Sequence, residues 1–139
     1  MNKNRIAVLI LSENGEITGS RNRQGKWQKL LDGINEKFGA SNVEVFPTSI
    51  RLGIALRDND YLATIIFAKD ISDNFQSSNS IFLHAKIYAN FRNAGNIIVA
   101  VFNLKQLKKM EEEADNDLPK GINIIQLKNI RGIIKAVKG

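Results

Sequence analysis

The side chains of this chain that could do chemistry are mostly cations. Arg21, Arg23, Lys26 and Lys29 make one stretch without acids, and Lys120, Lys128, Arg131, Lys135 and Lys138 make another. Clusters of this kind neutralise phosphates and release counterions, and lysines are equally at home on a solvated helix face. The formal charge is +6, yet residues 1–69 and 70–139 each carry ten basic and seven acidic side chains, so the excess is local. Acids are candidates too. Asp58, Asp60 and Asp70 lie close enough in sequence to consider as metal ligands, but the first two read more simply as turn residues hydrogen-bonding their own backbone.

Other catalytic chemistry finds little material. There is no cysteine, which excludes thiolate catalysis, cysteine-ligated zinc and disulfides, and makes a cytoplasmic location the default. His84, the single histidine, stands in an apolar stretch without partners for a general base or a metal. Lys86 and Tyr88 beside it form no known signature. Ser12-Glu13-Asn14-Gly15 follows a strand candidate but belongs to no phosphate-binding glycine pattern, and no Walker motif occurs. No cofactor is expected. Trp27 reads as a core or capping hydrophobe, and Glu111-Glu112-Glu113 as a solvated helix face.

The elements that must position these residues follow from hydrophobic periodicity. A chain of 139 residues fits one domain without staples. Arg5 to Leu11 predicts a buried strand. Trp27, Leu30, Leu31, Ile34 and Phe38 recur at helical spacing up to Gly39, and Val43 to Phe46 predicts a short strand. Ile50, Leu52, Ile54 and Leu56 alternate with Arg51, Gly53, Ala55 and Arg57, the period of a strand with one apolar face. With turn residues at 57–60 and an apolar run from Tyr61 to Ala68, residues 50–68 predict a β-hairpin.

Residues 70–79 predict a loop and Ser80 to Asn93 an apolar helix. Asn96 to Phe102 predicts a buried strand, and Leu104, Leu107 and Met110 mark a helix. A strand at Ile122 to Leu127 and a helix striped by Ile130, Ile133, Ile134 and Val137 complete the chain. Crossovers in the second half and a hairpin in the first imply an α/β fold with a mixed central sheet and helices on both faces. The apolar runs are too short to cross a membrane, and the N-terminus lacks a signal-peptide cleavage pattern.

This order of elements resembles the PD-(D/E)XK nuclease superfamily, particularly Mrr-like restriction enzymes and archaeal Holliday junction resolvases. Gly25-Lys26-Trp27-Gln28 stands where that family opens its helix with a glutamate. Gly53-Ile54-Ala55-Leu56 resembles the stretch carrying its metal aspartate. Phe67-Ala68-Lys69 resembles its Glu-x-Lys. Across residues 24–134 the acids of the pattern are replaced by Gln28, Ala55 and Phe67, which removes the oxygen ligands that a divalent metal needs.

The resemblance therefore implies a nuclease-like domain without metal or cleavage, with residues 1–23 as an N-terminal extension of a core at 24–139. Lys69, Arg51, Arg57, Arg21, Arg23 and Lys26 would surround the vacated cleft and hold nucleic acid, DNA before RNA. A homodimer or a heteromeric complex with an active subunit would fit. The alternative is a flavodoxin-like five-stranded parallel sheet, as in a degenerate receiver or TIR-like signalling module, in which residues 49–58 are a helix. That alternative gives the strand at 6–11 a natural place.

Overall fold

A computed structural model describes residues 5–11, 21–46, 49–68, 87–101, 108, 112, 122–126 and 128–139, with backbone alone at 10–11, 21–28, 49 and 67–68. Its strands are β1 (Ile6–Leu11), β2 (Val43–Phe46), β3 (Ala63–Ala68), β4 (Asn96–Val101) and β5 (Ile122–Gln126). Its long helices are α1 (Arg21–Phe38), α2 (Ser49–Asp58) and α3 (Ile130–Lys138). A helical turn at 87–89 and a 3-10 turn at Arg92–Ala94 precede β4.

The five strands pair in the order β2-β1-β3-β4-β5, and every pair is parallel. This is the α/β class with the flavodoxin-like arrangement. It corrects two expectations. The sheet is not mixed, and the strand at 6–11 is not an appendage: β1 pairs with β2 on one side and β3 on the other. Nor is there a hairpin, because residues 49–58 are helical.

The physical reason lies in which apolar residues are buried. Leu52 and Leu56, one helical turn apart, are fully covered and pack with Ala7 and Leu9 of β1 and with Tyr61. Ile50 and Ile54, which completed the apparent alternation, point outward. A strand would have put all four on one face; the helix sorts them into two inside and two outside.

Alternation along the strands divides the core into two halves. Ala7 and Leu9, Ile66, and Ile97, Val99 and Val101 face α2 and the turn at 87–89, where Tyr88 is buried. Ile6 and Val8, Ala63 and Ile65, and Ile98 and Ala100 face α1 and α3 through Leu30, Leu31, Ile34, Ile133 and Val137. The strands β1, β3 and β4 therefore read as continuous apolar runs because they are buried on both faces. Helix α1 ends at Gly39, whose φ of 91° suits glycine, and Asn42 Nδ2 donates to the carbonyl of Phe38 at 2.7 Å.

Candidate functional site

In a parallel sheet of this order, ligands bind in the crevice beyond the carboxyl ends of the strands, where β1 and β3 diverge. The segments that follow β1, β3 and β4 there, including Lys69 and Asp70, lie outside the described residues, as does His84.

The backbone places the predicted cationic residues on two helices, on opposite faces of the sheet. Arg21, Arg23 and Lys26 belong to the first turns of α1, on one face of the sheet, whereas Arg51 and Arg57 belong to α2, on the other. Arg51 and Arg57 are both exposed. Six residues apart, they stand about 9 Å from each other along the axis and about 120° around it. Arg57 lies in the last turn of α2, away from the carboxyl edge at which that helix begins. The hairpin on which the predicted cleft was built is replaced by α2, and Lys69 lies outside the described residues. Asp58 is likewise exposed at the end of α2. Among the described residues no three His, Asp or Glu side chains come together as metal ligands would.

A compact polar group does form at the opposite, amino edge. Arg5 pairs with Glu44 of β2, and its guanidinium lies 5.3 Å from the centre of the Tyr61 ring. The Tyr61 hydroxyl donates to Glu44 Oε2 at 3.2 Å, and Phe46 meets the same ring edge-on at 6.4 Å. Burial raises the Tyr61 pKa above its ordinary 10.0, against a weaker lowering by Arg5. Backbone bonds surround the group: Leu62 N–H donates to Arg5 O and Tyr61 N–H to Asn93 O, both at 2.8 Å. Asn93 Nδ2 also reaches Leu56 O at 3.0 Å. These contacts tie the edge strand β2 to β1 and β3 and anchor the end of α2. They are structural in character.

The most concentrated described charge lies on α3. Lys128, Arg131, Lys135 and Lys138 are all exposed. The three within the helix, Arg131, Lys135 and Lys138, fall within about 60° of arc over about 10 Å. The opposite side of the helix fixes that orientation, since Ile133 and Val137 are fully buried against the sheet. Asn129 caps the helix by accepting from Gly132 N–H at 3.0 Å, and Asn96 Nδ2 donates to Val137 O at 3.2 Å near its end. The sequence contains no acid from 128 to 139; the exposed acids of this layer, Asp32 and Glu36, are on α1. Sequence reasoning noted this cluster but placed the phosphate site elsewhere. The spacing 131, 135, 138 was the signal that would have found it.

Among the described residues no helix is long and apolar enough to cross a membrane. Comparison of the chain with protein-family models, with curated proteins and with solved structures returned no match.

Proposed function

We propose that this chain is a binding module that holds the phosphate backbone of nucleic acid along the exposed basic stripe of α3. The observation that carries the reading is the alignment of Arg131, Lys135 and Lys138, extended by Lys128, on one side of a helix whose other side is locked into the core. Rigidly placed cations of one sign neutralise successive phosphates and release their counterions without reading base sequence. Lys135 and Lys138 also sit where the helix dipole favours positive charge, so the test must separate binding from helix stability.

Fluorescence anisotropy with labelled duplex DNA, single-stranded DNA and RNA makes that separation. The variant Lys128→Gln/Arg131→Gln/Lys135→Gln/Lys138→Gln is expected to lose at least about tenfold in affinity at low salt while keeping its circular dichroism spectrum. Arg57→Gln, on the opposite layer, is the control and is expected to bind as the native chain does. Unchanged binding in the fourfold variant overturns the proposal.

A second reading, a signalling or protein-interaction module, is favoured by the parallel order β2-β1-β3-β4-β5, an order also used by response-regulator receivers. That argument is one of fold analogy. Its local support is on α2.

A further inference from the structure

The outer side of α2 is apolar where solvent should favour polar groups. Ile50 is 76% exposed and Ile54 is 54% exposed, one helical turn apart. Gly53 lies between them on the same side, and a Cβ built there would find no atom within 4 Å. A glycine inside a helix costs about 1 kcal/mol relative to alanine, and nothing in the described structure requires one at this position. Position 57, the next along the stripe 50, 53, 54, 57, is an arginine. The result is a notch between two isoleucines, with a guanidinium at its end.

The charges around this notch indicate what fits it. Three exposed arginines, Arg51, Arg57 and Arg92, are described on this layer, whereas α3 carries mainly lysines. Arginine is the residue enriched at protein interfaces and matched in shape to carboxylates. Asp58 and Asp60 are the acids nearest in sequence, and neither forms an ion pair with Arg57 among the described residues. Ile87, also on this layer and 46% exposed, adds apolar surface.

We infer that the outer face of α2 docks an amphipathic helix of a partner protein whose apolar stripe is flanked by carboxylates. Two isoleucines would seat against apolar residues at i, i+3 and i+4 of the incoming helix. Gly53 lets its backbone approach closely, and Arg57 takes a flanking Asp or Glu. This inference rests on the interaction reading and is independent of phosphate binding, since α2 and α3 lie on opposite faces of the sheet.

The test uses the full chain and a fluorescein-labelled synthetic helix with leucines at i, i+3, i+4 and i+7 flanked by glutamates. The counterpart peptides replace every glutamate by lysine or every leucine by serine. The acidic peptide is expected to bind, and both counterparts to bind at least about tenfold more weakly. Ile50→Ser/Ile54→Ser is expected to weaken the acidic peptide about tenfold or more with an unchanged melting temperature within a few degrees. Gly53→Ala is expected to raise the melting temperature and weaken binding, a pair of effects that a merely structural glycine would not produce.

The inference is overturned if the acidic peptide fails to bind or binds no better than the lysine peptide. It is equally overturned if the isoleucine variants bind normally while the α3 glutamine variant does not; the interaction reading would then survive on a different surface. If sedimentation shows a dimer that Ile54→Glu converts to monomer, the occupant is a second copy of this chain, and the foreign helix is excluded.

Discussion

Gly95 lies directly against the carbonyl of Leu62, so close that a Cβ at position 95 would collide with that oxygen. Its φ of 65° is in the left-handed region, and the next residue, Asn96, donates its N–H to the same Leu62 carbonyl at 3.1 Å. Backbone obstructs the space, so no side-chain adjustment can relieve it. Gly95→Ala should therefore lower stability by at least about 2 kcal/mol. Urea unfolding measures this, and a loss under about 0.5 kcal/mol would contradict the packing of β3 against β4 at this edge.

The helix at 49–58 makes an asymmetric prediction for four apolar residues. Leu52→Ala and Leu56→Ala, both buried, should each cost about 2–5 kcal/mol. Ile50→Ala and Ile54→Ala should each cost less than about 1 kcal/mol, because their side chains already face water. A strand with one buried face would make all four equally costly. Denaturant midpoints of the four variants decide between the two.

This segment also shows where the sequence was legible and where it was not. The strands at 6–11, 43–46, 63–68, 96–101 and 122–126 and the helices ending at Phe38 and Lys138 follow apolar runs or stripes, fully buried in the described parts of the three central strands and only partly covered in the edge strands β2 and β5. At 50–56 the pattern fits both periods. Alternate positions are apolar, and so are the pair 52 and 56, and nothing local states that Ile50 and Ile54 face outward. The strand period gathers Arg51, Arg57 and Lys69 at one hairpin, whereas the helix carries Arg51 and Arg57 on α2. The hairpin also made the central strand β1 look peripheral, because strand order depends on contacts far apart in sequence. The α3 stripe was readable from spacing alone, but its exposure needed the burial of Ile133 and Val137.

Stability should depend on the ionisation of Tyr61. Its folded pKa lies above 10.0 because burial disfavours the phenolate, and the hydroxyl must keep its proton to donate to Glu44. The neutral form is thus favoured in the folded state. The contribution is fully present below pH 10 and is lost as pH rises through the folded pKa. Tyr61→Phe should be less stable than the native chain at pH 8, and the difference should shrink at more alkaline pH. A difference independent of pH between 8 and 11 would show that the hydroxyl does not sense this environment.

Asn129 should act as the N-cap of α3. Asn129→Ala removes the acceptor of the Gly132 N–H bond and should cost about 1 kcal/mol. Asn129→Asp should retain most of that stability, since a carboxylate accepts the same bond. Thermal unfolding followed by circular dichroism measures both, and equal losses in the two variants would contradict the cap.

The phosphate-binding account is tested most directly by the salt dependence of affinity for duplex DNA. If Lys128, Arg131, Lys135 and Lys138 each neutralise a phosphate, log K against log salt should have a slope of about −3.6. Each substitution to glutamine should make it shallower by about 0.9, whereas Arg57→Gln should leave it unchanged. A slope that survives removal of all four, or one that falls only with Arg57, would contradict the assignment of the site to α3.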